Sequence, residues 1–98
     1  MSLDEFKRLA GSGPLPGMSG ALAALLQDTA GNWEAAHDAA QADETPAGAW
    51  VHAYLHRKEG DLGNAGYWYR RAGRPVAKGE LAAEWEQIAG ALLEDRAS

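Results

Sequence analysis

The feature that most constrains the fold of this chain is its shortage of β-branched residues. Valine, isoleucine and threonine together make up only five of its 98 residues, whereas it contains 21 alanines and 11 leucines. A β-sheet relies on β-branched side chains to cover its faces, and alanine and leucine are strong helix formers. A chain of this length has room for one hydrophobic core. The sequence therefore predicts a single all-α domain over residues 1–98.

Residues that start and stop helices predict about six helical segments. Ser2 and Glu5 have the spacing of a capping box, which predicts a helix over 3–10. The glycines and prolines of 11–17 cannot propagate a helix and form a linker. The last helix is expected over about 79–96. The further predicted N-caps are Ser19, Asn32, Thr45 and Asp61.

The predicted helices fall into three parts of one domain. Residues 1–17 are interpreted as an N-terminal helix and a Gly/Pro linker, 18–75 as two helical hairpins, and 76–98 as a C-terminal helix. The breaks inside the hairpins are only about two residues long, so the helices on either side must lie antiparallel and adjacent. The two terminal helices are then expected to act as caps on the hairpins.

The middle of the chain contains an internal repeat at an offset of 29 residues. This offset aligns Gly31-Asn32-Trp33 with Gly60-Asp61-Leu62, and Ala36 with Ala65. In each unit the glycine reverses the chain, the Asn or Asp caps the next helix, and the alanine lets two helices approach closely. The two units are therefore expected to pack side by side.

The second unit resembles the tetratricopeptide (TPR) and Sel1-like families of helical-hairpin repeats. Gly60-Asp61-Leu62 is similar to the Gly-Asp-aromatic turn of those families. The resemblance covers about residues 18–75 and implies stacked hairpins with a concave, ligand-facing side. The large apolar positions of the first helix are occupied by Ala49, His52 and His56, so the hairpins are expected to be divergent. The other matching positions are Ala53, Ala65, Tyr69 and Ala72.

Charge is distributed unevenly along the chain, whose formal net charge is −5. Residues 50–78 carry six basic and two acidic side chains, a local net charge of +4, while the remainder carries three basic and twelve acidic ones. An acidic body disfavours nucleic acid as a partner, and a basic segment on it favours an anionic one. The N-terminal residues lack the pattern of a secretory signal, and no membrane span is expected, so we predict a cytoplasmic location.

Aromatic and basic side chains are concentrated in the fourth and fifth predicted helices. Trp50, Tyr54, Arg57 and Lys58 are spaced to share one stripe, which the TPR resemblance implies is the ligand-facing side. Aromatic rings supply contact area, and arginine binds carboxylates in a bidentate manner. Together with Arg71 they form the predicted site for an acidic or carboxylate-bearing peptide. In the alternative interpretation, the tryptophan and the tyrosine of the stripe pack beneath a terminal helix as core.

Two histidines suggest a second type of site. His52 and His56 are four residues apart on one predicted helix, and Glu59 follows three residues later. Imidazoles at this spacing converge and can hold a divalent metal ion. The alternative is a structural role, in which both are half-buried and bond to a carboxylate, a tyrosine or the backbone. His37, next to Asp38, is expected to lie at the surface or to pack.

The sequence contains no pattern of a catalytic centre. There is no cysteine, the serines lie in tails, linker or cap positions, and the glycine-rich linker lacks the lysine of a phosphate-binding loop. We therefore predict a non-enzymatic protein without a cofactor, which acts by binding a protein or peptide. A metal-binding or enzymatic protein that uses His52, His56 and Glu59 is the alternative.

The last predicted helix offers one further possibility. Leu81, Trp85, Ile88 and Leu92 align on one apolar stripe. Such a stripe is normally part of the core, but it can also pair with a second copy of the chain. A purely structural homodimer is therefore the remaining alternative.

Overall fold

Helices make up the regular structure of the chain. The computed structural model describes residues 1–10 and 14–97, and this part contains six α-helices and no strand. The predicted all-α fold of about six helices is confirmed. The predicted linker over 11–17 lies partly outside the described residues. None of the six helices combines the length and the apolar character that crossing a membrane requires. The helices are α1 Leu3–Arg8, α2 Gly20–Thr29, α3 Trp33–Ala42, α4 Pro46–Lys58, α5 Leu62–Ala72 and α6 Leu81–Ala97.

The predicted capping residues begin the first five helices. At α1 the Glu5 backbone N–H donates to Ser2 Oγ at 3.1 Å, and the Ser2 backbone N–H donates to Glu5 Oε1 at 3.2 Å. Thr45 caps α4 and is followed by Pro46, whose fixed φ suits the first helical turn. Each such cap stabilises its helix by about 1 kcal/mol. The other capping side chains are those of Ser19, Asn32 and Asp61.

Two glycine turns fold the middle of the chain into adjacent helical hairpins. Gly31 follows α2 with a φ of +83°, and Gly60 follows α4 with a φ of +88°, a left-handed conformation that glycine adopts without strain. Helix α2 packs against α3, and α4 packs against α5, while contacts between α3 and α4 join the hairpins. Small side chains let these helices approach closely. The buried alanines are Ala21, Ala24, Ala36, Ala40, Ala49, Ala53 and Ala65 on these four helices.

Helix α6 packs against α1, α2 and α4 and completes the core. The Trp85 indole N–H donates to the Leu25 carbonyl oxygen at 3.1 Å, and its ring stacks on Phe6 with the centroids 5.6 Å apart. Ile88 and Leu92 of the same stripe are also buried. The apolar stripe considered for a homodimer is therefore used within the monomer.

Helix α4 lies at the centre of the fold. It packs against α2, α3, α5 and α6, so neighbours surround it. As a result, every residue from Gly48 to His56 is buried, whichever face of the helix it occupies. Trp50 and Tyr54 of the predicted binding stripe lie in this buried part of α4.

The corner between α3 and α4 joins three helices through one residue. Asp43 Oδ2 accepts a hydrogen bond from the Ala21 backbone N–H of α2 at 3.0 Å, and Oδ1 accepts one from the Thr45 backbone N–H at 3.0 Å. Gly48 of α4 lies so close that a Cβ there would be 2.0 Å from the Asp43 carbonyl oxygen. The corner thus requires an aspartate at one position and a glycine at the other.

Candidate functional site

The aromatic half of the predicted site is part of the core. Trp50 is 4% exposed and Tyr54 is 3% exposed. The Arg74 guanidinium covers the Trp50 ring, with its Cζ 3.9 Å from the ring centroid. Of the two interpretations that the sequence left open, the structure therefore agrees with the covered core and not with an exposed stripe, because α4 has packed helices around it instead of a free face.

Two of the predicted basic residues are directed into internal ion pairs. Arg57 Nη1 lies 2.8 Å from Glu84 Oε1, and its other terminal nitrogen donates to the Gly79 carbonyl oxygen. Lys58 Nζ lies 2.8 Å from Asp28 Oδ1. Both carboxylate side chains are only 3% exposed, so each needs its basic partner to offset the loss of hydration. Arg57 and Lys58 therefore stabilise the fold, and their charges are already paired.

Two tyrosine hydroxyls complete these buried polar clusters. The Tyr54 hydroxyl donates to Asp28 Oδ2 at 3.2 Å, and the Tyr69 hydroxyl donates to Glu84 Oε2 at 2.5 Å. Burial raises the pKa of each hydroxyl, and the adjacent carboxylate raises it further. Both tyrosines therefore stay protonated and act as hydrogen-bond donors.

Arg71 is the predicted site residue that remains open to a ligand. It lies on the exposed side of α5, where its Nη1 donates to the Tyr67 hydroxyl at 3.0 Å. Its Cζ is 5.7 Å from the Tyr67 ring centroid and 5.2 Å from that of Trp68. Among the described residues it forms no ion pair. We call Tyr67, Trp68 and Arg71 the α5 face.

A pocket of about 470 Å³ opens beside the α5 face. Trp68 and Arg71 form one wall, His52 and Ala49 of α4 contribute to another, and Glu44 lies in the connection from α3. The pocket is polar, and its lining carries the acidic Asp43 and Glu44 as well as Arg71. Its polar lining suits a small polar group better than an apolar one, and Arg71 supplies the donors for a carboxylate.

A larger groove of about 700 Å³ runs between α2, α4 and α6. Tyr54 and Lys58 reach it, and Trp85 contributes an apolar wall. Lys7 pairs with Glu86 there, just as Lys58 pairs with Asp28 in the buried cluster. Each positive charge is thus matched by a negative one, so the groove has no preference for an anionic partner.

The three histidines of the chain meet between α3 and α4, and we call His37, His52 and His56 the histidine cluster. His52 Nε2 lies 2.9 Å from His37 Nε2, and one ring nitrogen of each residue lies within 4.8 Å of the others. Glu59 Oε1 lies 2.7 Å from His56 Nδ1, which agrees with the predicted carboxylate partner. Burial and the two neighbouring imidazoles lower the pKa of His52 to about 4.

His37 is the residue that the sequence interpretation missed. Its side chain does pack, against Trp33 at a centroid distance of 5.0 Å, but it also faces both histidines of α4. A signal was present, because His37 follows Ala36, whose repeat position predicts a helix contact. His37 also lies four residues after Trp33 and three before Ala40, so the three side chains share one face of α3.

Comparison with known proteins adds no relative to this picture. The chain was compared with protein-family models, with curated proteins and with solved structures, and no match was found in any of the three. The TPR-like interpretation therefore stays a prediction from the Gly60-Asp61-Leu62 turn and the repeat. The candidate sites rest on their own geometry.

Proposed function

We propose that this protein is a non-enzymatic interaction module that binds a carboxylate-bearing segment of a partner protein in the pocket beside the α5 face. The observation that carries the proposal is the placement of Arg71. Its guanidinium is held by the Tyr67 hydroxyl and by the Trp68 ring, yet it has no carboxylate partner among the described residues. A cation held in place before binding loses less side-chain entropy when a carboxylate arrives.

Because Asp43 and Glu44 also line the pocket, an anionic ligand is attracted by Arg71 together with the basic side chains outside the lining. Arg70, Arg74 and Lys78 are exposed and also form no ion pair within the described part of the chain. The rest of the protein is acidic, which weakens the attraction of a long polyanion such as nucleic acid. A short acidic peptide needs only the local positive charge. The proposal keeps the TPR-like character and the cytoplasmic location expected from the sequence.

The proposal moves the binding surface from α4 to α5. The predicted set was Trp50, Tyr54, Arg57, Lys58 and Arg71, and only the last lies on the surface that we now propose. Tyr67 is 44% exposed and Trp68 is half-buried, so they supply the aromatic contact area that the α4 stripe was expected to supply. The remaining members of the set hold the scaffold in place.

The proposal can be tested with a pair of peptides that differ only in charge. The probes are acetyl-Leu-Glu-Glu-Leu-amide and its Gln-Gln counterpart, and binding is followed by chemical-shift changes in the isotope-labelled protein. We expect the acidic peptide to shift the signals of Trp68 and Arg71. Arg71→Gln should weaken its affinity roughly tenfold, which corresponds to about 1.4 kcal/mol for a hydrogen-bonded ion pair.

Arg70→Gln is the matched control, since it removes the same charge from the neighbouring exposed position of α5. This substitution should change the affinity by less than about threefold, because the charge that it removes is exposed and screened by solvent. Equal binding of both peptides, or equal losses from the two substitutions, would show that the pocket does not recognise a carboxylate through Arg71.

A further inference from the structure

The histidine cluster brings together side chains from two helices that are distant in sequence. The ring centroids are 4.5 Å apart for His37 and His52, 5.2 Å for His37 and His56, and 4.9 Å for His52 and His56. His52 and His56 are buried, and His37 is half-buried. This arrangement concentrates three nitrogen donors in a partly dehydrated space, and the α5 face does not use them.

We propose that the histidine cluster binds one divalent transition-metal ion of the zinc type, with one ring nitrogen each from His37, His52 and His56 as ligands. Zinc commonly takes three protein ligands and leaves a fourth position for water or another ligand. Imidazole also suits nickel and copper, whereas calcium and magnesium require oxygen ligands. The chain has no cysteine to compete for the ion.

The distances between the nitrogen atoms are close to those that a metal needs. Two imidazole nitrogens bound at about 2.0–2.1 Å with a tetrahedral angle lie about 3.3 Å apart. His37 Nε2 and His52 Nε2 are already 2.9 Å apart, and all three donor atoms fit within 4.8 Å of one another. Small rotations of the side chains therefore suffice to bring the three nitrogen atoms to metal-binding distance, with no movement of the helices.

The rings are held by neighbours that a metal site commonly uses. Glu59 Oε1 contacts His56 Nδ1 at 2.7 Å, which fixes a proton there and leaves Nε2 as the nitrogen with a free lone pair. Trp68 stacks on His52 with the centroids 3.9 Å apart, and Trp33 stacks on His37. The Trp33 indole N–H donates to the Leu55 carbonyl oxygen at 3.1 Å, which fixes that ring in turn.

The hydrogen bonding of the cluster also favours a metal. A ligand histidine binds as the neutral imidazole through a free lone pair. The hydrogen bond between His37 and His52 uses one proton and one lone pair, and His56 takes no part in it. A metal ion would engage all three rings at once.

The proposed ligand set differs from the one that the sequence suggested. In the alternative considered from the sequence, Glu59 binds the metal beside His52 and His56, whereas in the structure it contacts His56 Nδ1 and positions the ring. A second group, His56, Glu59 and Asp61, also lies within 4.8 Å, but both of its acids are exposed. The metal site adjoins the peptide pocket, because His52 also lines that pocket and stacks on Trp68. Arg71 is not a ligand and His37 does not line the pocket, so variants of these two residues test the two proposals separately.

The test uses the full-length chain without a polyhistidine tag, stripped with EDTA and then titrated with zinc against a chromophoric chelator. We expect one zinc ion per chain and a rise in the melting temperature on binding. His37→Gln should weaken zinc binding by roughly 100-fold or more, because loss of a ligand should exceed the 10- to 100-fold effect of losing a positioning group. Glu59→Gln should weaken it by roughly 10- to 100-fold.

Asp38→Asn is the matched control, because it changes the exposed neighbour of His37 and should leave zinc affinity within about threefold. Circular dichroism establishes that each variant is folded. Unchanged affinity in folded His37→Gln, or a loss confined to Glu59→Gln, would place the ion at the Glu59–Asp61 turn and overturn the proposal. Failure of the wild-type chain to bind zinc with one-to-one stoichiometry would also overturn it.

The cobalt(II) complex of the wild-type chain gives a readout that depends on no variant. Intense visible d–d bands are expected, because they report a four-coordinate ion with nitrogen ligands. The weak bands of a six-coordinate, oxygen-bound ion would overturn the proposal.

Discussion

The Tyr69 hydroxyl donates a hydrogen bond to Glu84 Oε2, and this contact joins α5 to α6 through a carboxylate that is almost fully buried. Arg57 of α4 binds the other oxygen of the same carboxylate. One acidic residue therefore connects three helices. Its position, three residues after Leu81 and four before Ile88, places it on the side of the apolar stripe of α6, unlike Glu94.

Replacement of Glu84 should strongly destabilise the protein. Glu84→Ala leaves the Arg57 guanidinium without its partner, and breaking a buried ion pair in this way costs about 3–5 kcal/mol. Urea unfolding followed by circular dichroism measures the change in the free energy of unfolding. Glu94→Ala, on the exposed side of the same helix, should change it by less than about 0.5 kcal/mol. Similar values for the two variants would contradict the structural role of Glu84.

Two helical glycines should respond in opposite ways to alanine. At Gly48 a Cβ would lie 2.0 Å from the Asp43 carbonyl oxygen, so Gly48→Ala must push α4 away from the corner and should cost about 3 kcal/mol. At Gly63 of α5 a Cβ meets no atom within 4 Å. Gly63→Ala should therefore stabilise the protein by about 0.5–1 kcal/mol through helix propensity. Thermal and urea unfolding of both variants check the pair, and a tolerated Gly48→Ala would contradict the close approach.

The metal-free protein should lose stability in mild acid through His52. Its pKa is lowered to about 4 in the folded state, from the ordinary value of 6.5. Between these pH values the unfolded chain binds a proton that the folded chain does not. The contribution of neutral His52 to the free energy of unfolding is therefore complete above pH 6.5 and is lost as the pH falls toward 4. The loss is on the order of 2–3 kcal/mol.

Urea unfolding at several pH values in EDTA measures this loss. His52→Gln should flatten the pH dependence of the unfolding free energy between pH 6.5 and 4.5. The pH dependence below that range should be unchanged, because His52 does not cause it. The charged and titratable groups around His52 are His37 from α3, His56 from α4, Asp43 and Glu44 from the connection and Arg71 from α5. An unchanged slope in the variant would contradict the prediction.

The helices and their ends could be predicted from the sequence because they depend on local interactions. Thr45 and Asp61 cap helices through backbone N–H groups three residues away, and Gly60 ends α4 through its own φ. None of these contacts requires knowledge of what packs nearby. The same locality explains why the turn of each hairpin was placed correctly.

The candidate site could be predicted only in part, because burial depends on distant elements. The spacing of Trp50 and Tyr54 shows that they share a face, but not that α2 and α6 cover α4. Likewise, Lys58 was expected to be free for a ligand because its acidic partner Asp28 is 30 residues away in the chain. Arg71 stays a predicted binding residue, and the structure leaves its side chain exposed because α5 packs mainly against α4.

The corner at Asp43 has a practical consequence for altering the protein. Connections between helices are usually where extra residues are accepted, yet this short one fixes the starting points of two neighbouring helices through the backbone and side chain of a single aspartate. Lengthening it by even one residue would shift both. A reporter or affinity sequence is better inserted between Pro75 and Val76, where the connection to the last helix is exposed, ahead of the Gly79 carbonyl oxygen that Arg57 binds.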